Sequence, residues 1–411
     1  MGRIVVKFGG TSVGDVERIE NAADKVVAEV ERGNSVAVVV SAMSGVTNQL
    51  VEYCRKISPM YDAREYDAVV SSGENITSGL MAIALQKRGI AARSWQGWQV
   101  QIMCNDVHGK ARIEDIDAEA MNARLDTGEV AVLAGFQGVT SKNRIATLGR
   151  GGSDTTAVAL AAALGADRCD IYTDVNGVYT TDPRIVPRAR KLDKISYEEM
   201  LEMASLGAKV LQTRSVEMAM KQNVPLQVLS TFEEAIGSDY PGTLVTKEED
   251  IMEKQVVNGI AYNVDEAKVT LLNVPDVPGA AAKVFGPLSD ANVNVDMIVQ
   301  NISQNELVTD MTFTVPKQEL DRTLEVVGNI KELEGTEIRY DKNVVKVSVV
   351  GIGMRSHAGV AQTMFNALAE KGINIQVIST SEIKISVLVS AEYKELAVRT
   401  LHAAYGLEAD E

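Results

Sequence analysis

The chain has 411 residues, 45% of them hydrophobic, with 9 prolines and a formal net charge of −15. That length exceeds what one hydrophobic core supports and calls for two or three domains. The negative charge repels nucleic acid and anionic membranes as principal partners, so any anionic substrate must be held by local cations.

Three scattered cysteines, Cys54, Cys104 and Cys169, form no C-x-x-C pair and point to a reducing compartment. No apolar run reaches the ~20 residues of a bilayer span, and Met1-Gly2 leads straight into a strand without a signal peptide, so a cytoplasmic location is expected. The histidines His108, His357 and His402 lie far apart and beside no ligand cluster; surface or packing roles are expected of them, and no metal site.

Arg3-Ile4-Val5-Val6-Lys7-Phe8 reads as a buried strand, Gly9-Gly10-Thr11-Ser12 as a loop, and Val16, Ile19, Ala22, Ala23, Val26, Val27 and Val30 as the apolar face of a helix. Lys7 falls at the strand end, where α/β sheets place ligands. Neither G-x-x-x-x-G-K-[ST] nor G-x-G-x-x-G is present. A second strand, Ser35-Val36-Ala37-Val38-Val39-Val40, runs into Ser41-Ala42-Met43-Ser44-Gly45-Val46-Thr47, again small hydroxyl residues after a strand. Ser71-Ser72-Gly73-Glu74 opens a helix that Gly89 ends, and strands follow near 92–95 and 130–135. Glu74 suits the positive start of that helix, or the ammonium group of a ligand.

The most informative stretch is Leu148-Gly149-Arg150-Gly151-Gly152-Ser153-Asp154. Three glycines in four positions let the backbone approach an anion without a Cβ in the way. Ser153 or Asp154 is expected to cap an alanine-rich helix over 155–164, aiming its positive end at the loop. Arg150 adds a fork suited to carboxylate or phosphate. Taken alone, the stretch reads equally well as a tight strand-to-helix turn. Cys169-Asp170-Ile171-Tyr172 makes a further strand, and Thr173-Asp174 through Asp182-Pro183-Arg184 a loop-rich excursion. Helices over 197–204 and beyond Gly207-Ala208-Lys209, then Pro225-Leu226-Gln227-Val228-Leu229 as a closing strand, complete an α/β region over 1–231 with a largely parallel sheet sandwiched by helices.

Residues 232–254 are polar and acidic and read as a linker. Beyond it the chain repeats itself after about 80 residues: Lys268-Val269-Thr270-Leu271-Leu272 matches Lys346-Val347-Ser348-Val349-Val350, Pro278-Gly279-Ala280-Ala281 matches Ala358-Gly359-Val360-Ala361, and Val293-Asn294-Val295 matches Ile373-Asn374-Ile375. Each copy reads as a ferredoxin-like βαββαβ unit, over 255–340 and 341–411, with edges to bury against each other or a second subunit.

Four blocks now carry a family. Lys7-Phe8-Gly9-Gly10-Thr11-Ser12, Ser72-Gly73-Glu74, the 149–154 loop and the Thr173-Asp174 to Asp182-Pro183-Arg184 segment closely resemble aspartate kinase, of the amino-acid kinase fold, and the repeats resemble its pair of ACT domains. The match spans essentially the whole chain and looks like the short bacterial form without a fused homoserine dehydrogenase. The resemblance implies transfer of the γ-phosphate of Mg-ATP to L-aspartate, giving 4-phospho-L-aspartate for lysine, threonine and methionine synthesis, with Mg²⁺ held mainly by phosphate oxygens and water. It implies catalytic roles for Lys7, Asp154 and Arg150; aspartate binding by Ser41, Thr47, Glu74, Arg150, Gly151, Gly152 and Ser153; and ATP binding by Lys7, Phe8, Gly9, Gly10, Thr173, Asp174, Tyr179, Arg184 and Lys209. Lysine or threonine would bind as effectors near Asp276, Gly279, Ala280, Asn294, Gln300, Asn374, Ile375, Thr380 and Ser381. A homodimer or tetramer through the ACT domains is implied, with a shorter regulatory subunit starting at Met252 as a further option. The alternatives are another amino-acid kinase of the same fold, or an amino-acid-binding regulatory protein with an inactive kinase domain.

Overall fold

The computed structural model describes residues 2–207, 210–251, 255–302, 308–333 and 336–409, so Lys209 and Met252 lie outside the described residues. The chain forms two compact units: 1–178, 191–205 and 209–253 make the first, and 179–190, 206–208 and 254–411 the second.

An eight-stranded sheet organises the first unit, in the order Lys194–Ser196, Thr243–Thr246, Leu226–Ser230, Arg168–Thr173, Arg3–Phe8, Ser35–Val40, Val130–Ala134, Ala92–Trp95. Every neighbouring pair is parallel except Leu226–Ser230 with Thr243–Thr246. The central strands are β-branched and buried almost end to end, as a sheet covered on both faces requires. Ile19, Ala22, Ala23 and Val26 of the helix Val16–Glu31 pack on this core, and Asp15 caps the helix by accepting the Arg18 backbone N–H at 2.8 Å.

Two features of this unit depart from the sequence reading. Leu226–Ser230 does not close the sheet, because the expected linker holds Thr243–Thr246, which pairs antiparallel with it. The reversal depends on Gly242, where a Cβ would stand 1.9 Å from the Val228 carbonyl oxygen. The acidic surroundings hide a four-residue strand whose Thr243, Val245 and Thr246 are buried. A smaller sheet of Ile113–Ile116, Ile102–Cys104, Gln137–Thr140 and Ile145–Thr147 was also not legible, since its strands are only three or four residues long.

The second unit contains both repeats. The first copy runs Ala267–Pro275, helix Ala280–Asp290, Asp296–Ile302, Val308–Val315, helix Leu320–Gly328 and Glu337–Asp341, the expected βαββαβ order. In the second copy Val344–Val350, Val377–Thr380 and Lys384–Ser390 form three strands, and the fourth is Gly259–Asn263, which precedes the first copy in the chain. The boundary expected at residue 255 therefore shifts: the first copy is inserted into the second.

The copies pack on each other. Met297 and Val299 meet Val344, Val377 and Leu388. Lys268 Nζ donates to Gln376 Oε1 at 2.5 Å, and Lys346 Nζ lies 2.6 Å from both Glu266 Oε1 and Asp296 Oδ2. Burial pushes the Lys346 ammonium down, but Glu266 and Asp296 outweigh it and hold it above its ordinary value. Lys346→Met leaves Glu266, only 3% exposed, as an uncompensated buried charge. A loss of about 3–5 kcal/mol is expected from the second unit. Calorimetric melting of the full chain checks this, and an unchanged second-unit transition would contradict it.

Candidate active site

Four parallel strands of the first unit end along one edge of the sheet, and each is followed by a loop of small residues: Gly9-Gly10, 41–45, Gly135 and Thr173-Asp174. Ligands of parallel α/β sheets gather at such an edge. Lys7 stands between Val39 and Ile171 in register. The Gly9 N–H donates to the Tyr172 carbonyl at 3.2 Å, and a Cβ on Gly9 would come within 3.4 Å of Lys7 Nζ. Glycine there keeps the strand end open beside the ammonium. Phe8, expected on the nucleotide side, is instead fully buried and stacked on Tyr172 with ring centroids 4.8 Å apart; alternation along the strand turns its ring into the core.

The helix after the glycine loop spans Gly152–Ala163, and Gly151, at φ +69°, is its N-cap. Ser153 and Asp154 therefore sit in the first turn, not at the cap. A Cβ on Gly151 would overlap Gln212 Cγ at 1.9 Å, so this left-handed, crowded position admits only glycine, and the helix starts earlier than a side-chain cap would place it. Asp154 Oδ1 lies 2.5 Å from Lys7 Nζ, and the two side chains are 11% and 10% exposed. Oδ1 receives no hydrogen bond of good angle, which makes the contact an ion pair. Ser153 packs under Gly135, where a Cβ would come within 2.9 Å of the serine Cβ. Arg150 is exposed at the loop apex.

Glu74 occupies the first turn of the helix Ser72–Lys87 and is 3% exposed. Its Oε1 accepts the Ala42 backbone N–H at 3.1 Å, whereas Oε2 is buried without a partner. Burial pushes this carboxyl up to about 7. Gly73 lets the helix start press on Ala42, whose Cβ would be 2.8 Å from an added Cβ. Ser41 donates its backbone N–H to Phe8 O at 3.1 Å and stays half-buried, and Thr47 lies in the first turn of Val46–Ile57. Thr173 ends its strand and donates from Oγ1 to Asp174 Oδ1 at 3.1 Å. Lys7, Asp154, Ser153, the 149–152 loop, Glu74, Ser41, Thr47, Thr173 and Asp174 thus all belong to one unit.

Tyr179 and Arg184 belong to the second unit. There Tyr179 packs beside the core of the second repeat, and Arg184, its side chain 89% exposed, forks onto Asp182 at 2.8 Å. That unit also carries the expected effector residues. Gly279 (φ +92°) and Gly359 (φ +96°) are the N-caps of Ala280–Asp290 and Val360–Glu370, with no side-chain cap at either. Ala280 is buried, while Asp276, Asn294, Gln300, Asn374, Thr380 and Ser381 are exposed and Ile375 is half-buried. Asn294 and Asn374 precede their strands, which begin only at Asp296 and Val377; left-handed Asn292 and Gly372 end the helices just before them. Sequence reasoning missed Asp67, Gln137 and Thr147, buried polar residues beneath the site: Gln137 and Thr147 sit in strands of four and three residues, and Asp67 on a helix that also carries Arg64 and Glu65, where one more charge is no signal.

Comparison with known proteins matches the Amino acid kinase family over residues 2–230 and ACT domains over 268–335 and 347–405. The chain belongs to the amino acid kinase family, in its aspartate kinase branch. It is 56% identical over its whole length to an aspartate kinase of Stutzerimonas stutzeri and 57% identical to an aspartokinase of Pseudomonas aeruginosa, covering 98% of each. In structure it resembles E. coli aspartokinase III in complex with aspartate and ADP, with a TM-score of 0.81 at 28% identity over 98% of this chain and 99% of that one. The T-state of the same enzyme, in complex with lysine and aspartate, superposes with a TM-score of 0.75 over 97% of this chain and 98% of that one. Among the described residues, no helix is long and apolar enough to cross a membrane, and no three carboxylate, histidine or cysteine side chains gather as a metal cage.

Glu74 gives this site a pH signature. An acid whose native pKa of about 7 exceeds its unfolded value of 4.5 stabilises the fold fully below pH 4.5, and that contribution is lost as pH rises through 7. The full span is worth about 3 kcal/mol. Glu74→Gln, neutral throughout, is expected to melt higher than the wild type above pH 7 and to match it only below about pH 4.5. Parallel thermal melts across that range check it.

Proposed function

We propose that the first unit transfers the γ-phosphate of Mg-ATP to the side-chain carboxylate of L-aspartate, giving 4-phospho-L-aspartate, the opening step toward lysine, threonine and methionine. The observation that carries this reading is the buried Lys7–Asp154 ion pair at the sheet edge, in one unit with the Arg150 loop and the unpartnered oxygen of Glu74. A carboxylate nucleophile of ordinary pKa ≈ 3.9 is already ionised at neutral pH and needs no general base. What the reaction requires is neutralisation and alignment of two approaching anions.

Lys7 supplies the cation for the transferring phosphoryl group, and Asp154 holds the ammonium in place before the nucleotide arrives. Arg150 forms a bidentate pair with the α-carboxylate of aspartate. The substrate ammonium completes the bonding of Glu74 Oε2 and favours its ionised form, an attraction that an exposed carboxylate would provide less strongly. Ser41, Thr47 and Ser153 add hydroxyl bonds, and the positive start of the Gly152–Ala163 helix, whose Gly152 N–H is itself taken by Gly149 O at 3.0 Å, faces negative charge. Gly9, Gly10, Thr173 and Asp174 line the nucleotide side, and Mg²⁺ enters as the companion of the phosphates. Lysine and threonine are the proposed effectors, bound in the repeats beside the Gly279 and Gly359 helix starts and favouring an inactive state that they bind more tightly. Those repeats are also the proposed dimer contact.

Lys7→Ala is expected to lower kcat by about 10²–10³-fold with the fold intact. Arg150→Lys keeps the charge but loses the planar fork, so the KM for aspartate rises well beyond the KM for ATP. Steady-state kinetics with each substrate varied decides both, and a larger effect on ATP would move Arg150 to the other substrate. For regulation, calorimetry with lysine and threonine on Ser381→Phe is expected to show weakened effector binding while basal turnover persists; undiminished binding would refute that placement.

A further inference from the structure

Beneath the proposed aspartate site, three separate stretches of chain converge on one carboxylate. Asp67, on the helix Ala63–Val70, is 0% exposed. Its Oδ1 accepts from Thr147 Oγ1 at 2.5 Å and its Oδ2 pairs with His108 Nδ1 at 2.7 Å. The Gly109 N–H lies 3.1 Å from both oxygens.

Two of these stretches lead directly to the site. The helix bearing Asp67 passes through Ser71, which caps both it and the next helix, to Glu74. That junction is fixed from the other side by Gln137, 1% exposed, whose Nε2 donates to Ser71 O at 3.1 Å and Asn75 Oδ1 at 2.8 Å. Thr147 ends its strand two residues before Gly149, the start of the glycine loop. The turn bearing His108 and Gly109 packs on that loop: a Cβ on Gly149 would come within 3.1 Å of Gly109 O. The Arg214 guanidinium ties loop and turn together by donating to Leu148 O at 2.6 Å and Ala111 O at 3.0 Å.

We infer that Asp67 is a positioning residue that sets the separation between Glu74 and the Arg150 loop, and thereby the length of amino acid that the site accepts. The inference rests on the aspartate clamp proposed above. A merely structural anchor at a fully buried position is served as well or better by apolar packing, since a buried charge repays its desolvation only through fixed, complete bonding. What such bonding provides is direction. Three bonds of set geometry hold two loops and a helix start in register, and a displacement of about 1 Å at a reacting centre costs up to 10²-fold in rate.

The test compares Thr147→Val, which removes one bond and keeps the shape, with Asp67→Asn, which keeps the size and removes the charge. Each is expected to raise the KM for L-aspartate about tenfold while the KM for ATP stays within about twofold. Discrimination against the one-methylene-longer L-glutamate, measured as a competitive inhibitor, falls by a similar factor. Loss of stability alone would lower active enzyme without moving either KM or that discrimination, and such a result overturns the inference. Should Asp67→Asn fail to fold, Thr147→Val decides. Arg150→Lys, run alongside, separates the two readings: if it leaves the aspartate KM unchanged, the clamp itself falls and this inference with it. If Arg150→Lys raises that KM and Thr147→Val does not, only the positioning role of Asp67 is lost.

Discussion

An ammonium and a carboxylate held 2.5 Å apart, each nearly buried, constrain everything around them in the first unit. Neither charge is tolerable alone at that depth, so strand and helix must arrive together. Lys7 is fixed by a strand paired on both sides, and Asp154 by a helix start that only a left-handed glycine allows. The same requirement explains the small residues nearby. Gly9 leaves room beside the ammonium, Gly135 for Ser153 and Gly73 for Ala42, each position closing to contact if a Cβ is added. Backbone compactness at the sheet edge lets a protein of net charge −15 present a local cation to an anionic substrate.

Much of this was legible because it is written in short, local signals. β-Branched runs marked the central strands, the 149–154 stretch marked the glycine loop, and the repeat of about 80 residues marked two related modules. What stayed hidden was decided by tertiary context. Thr243–Thr246 is too short and too polar in its surroundings to announce itself, yet pairing with Leu226–Ser230 makes it a sheet strand. Phe8 follows Lys7 in a motif associated with nucleotide binding, but the pleat sends successive side chains to opposite faces and its ring to the core. Asp67 and His108 are unremarkable in sequence, and only folding brings them 2.7 Å apart. A cap assigned by residue type, Ser153 or Asp154, lost to a backbone position where packing against Gln212 leaves no room for a side chain.

The insertion of one repeat into the other has a physical logic. Had Gly259–Asn263 paired with the first copy, Val344 to Val350 would present a bare edge on that side. Pairing it across the insertion closes that edge and makes the second module depend on chain from both ends of the first. Lys346 reinforces the dependence, because of its two carboxylate partners Asp296 lies in the inserted copy and Glu266 at the point where the chain enters it, while the lysine lies on the module that surrounds it.

The residues 179–190 extend the same principle to the chain as a whole. They leave the first unit after Val178 and return at Lys191, and in between they are built into the second unit's core through Ile185, Val186 and Ala189. Thr180 anchors the excursion: its Oγ1 bonds His402 Nε2 at 2.8 Å and donates to Leu407 O at 3.2 Å, at a histidine that burial keeps below its ordinary pKa and that is 0% exposed. Both ends of the excursion are pinned in the first unit, where Leu192 N–H donates to Val178 O at 2.8 Å and Val178 N–H to Thr243 Oγ1 at 2.7 Å. Units joined by a single flexible linker respond to ligands independently. Here the segment following Thr173 and Asp174 is covalently continuous with a strap locked into the repeat core. The chain therefore crosses between the units at 178–179 and 190–191 as well as farther along, so no single linker joins them.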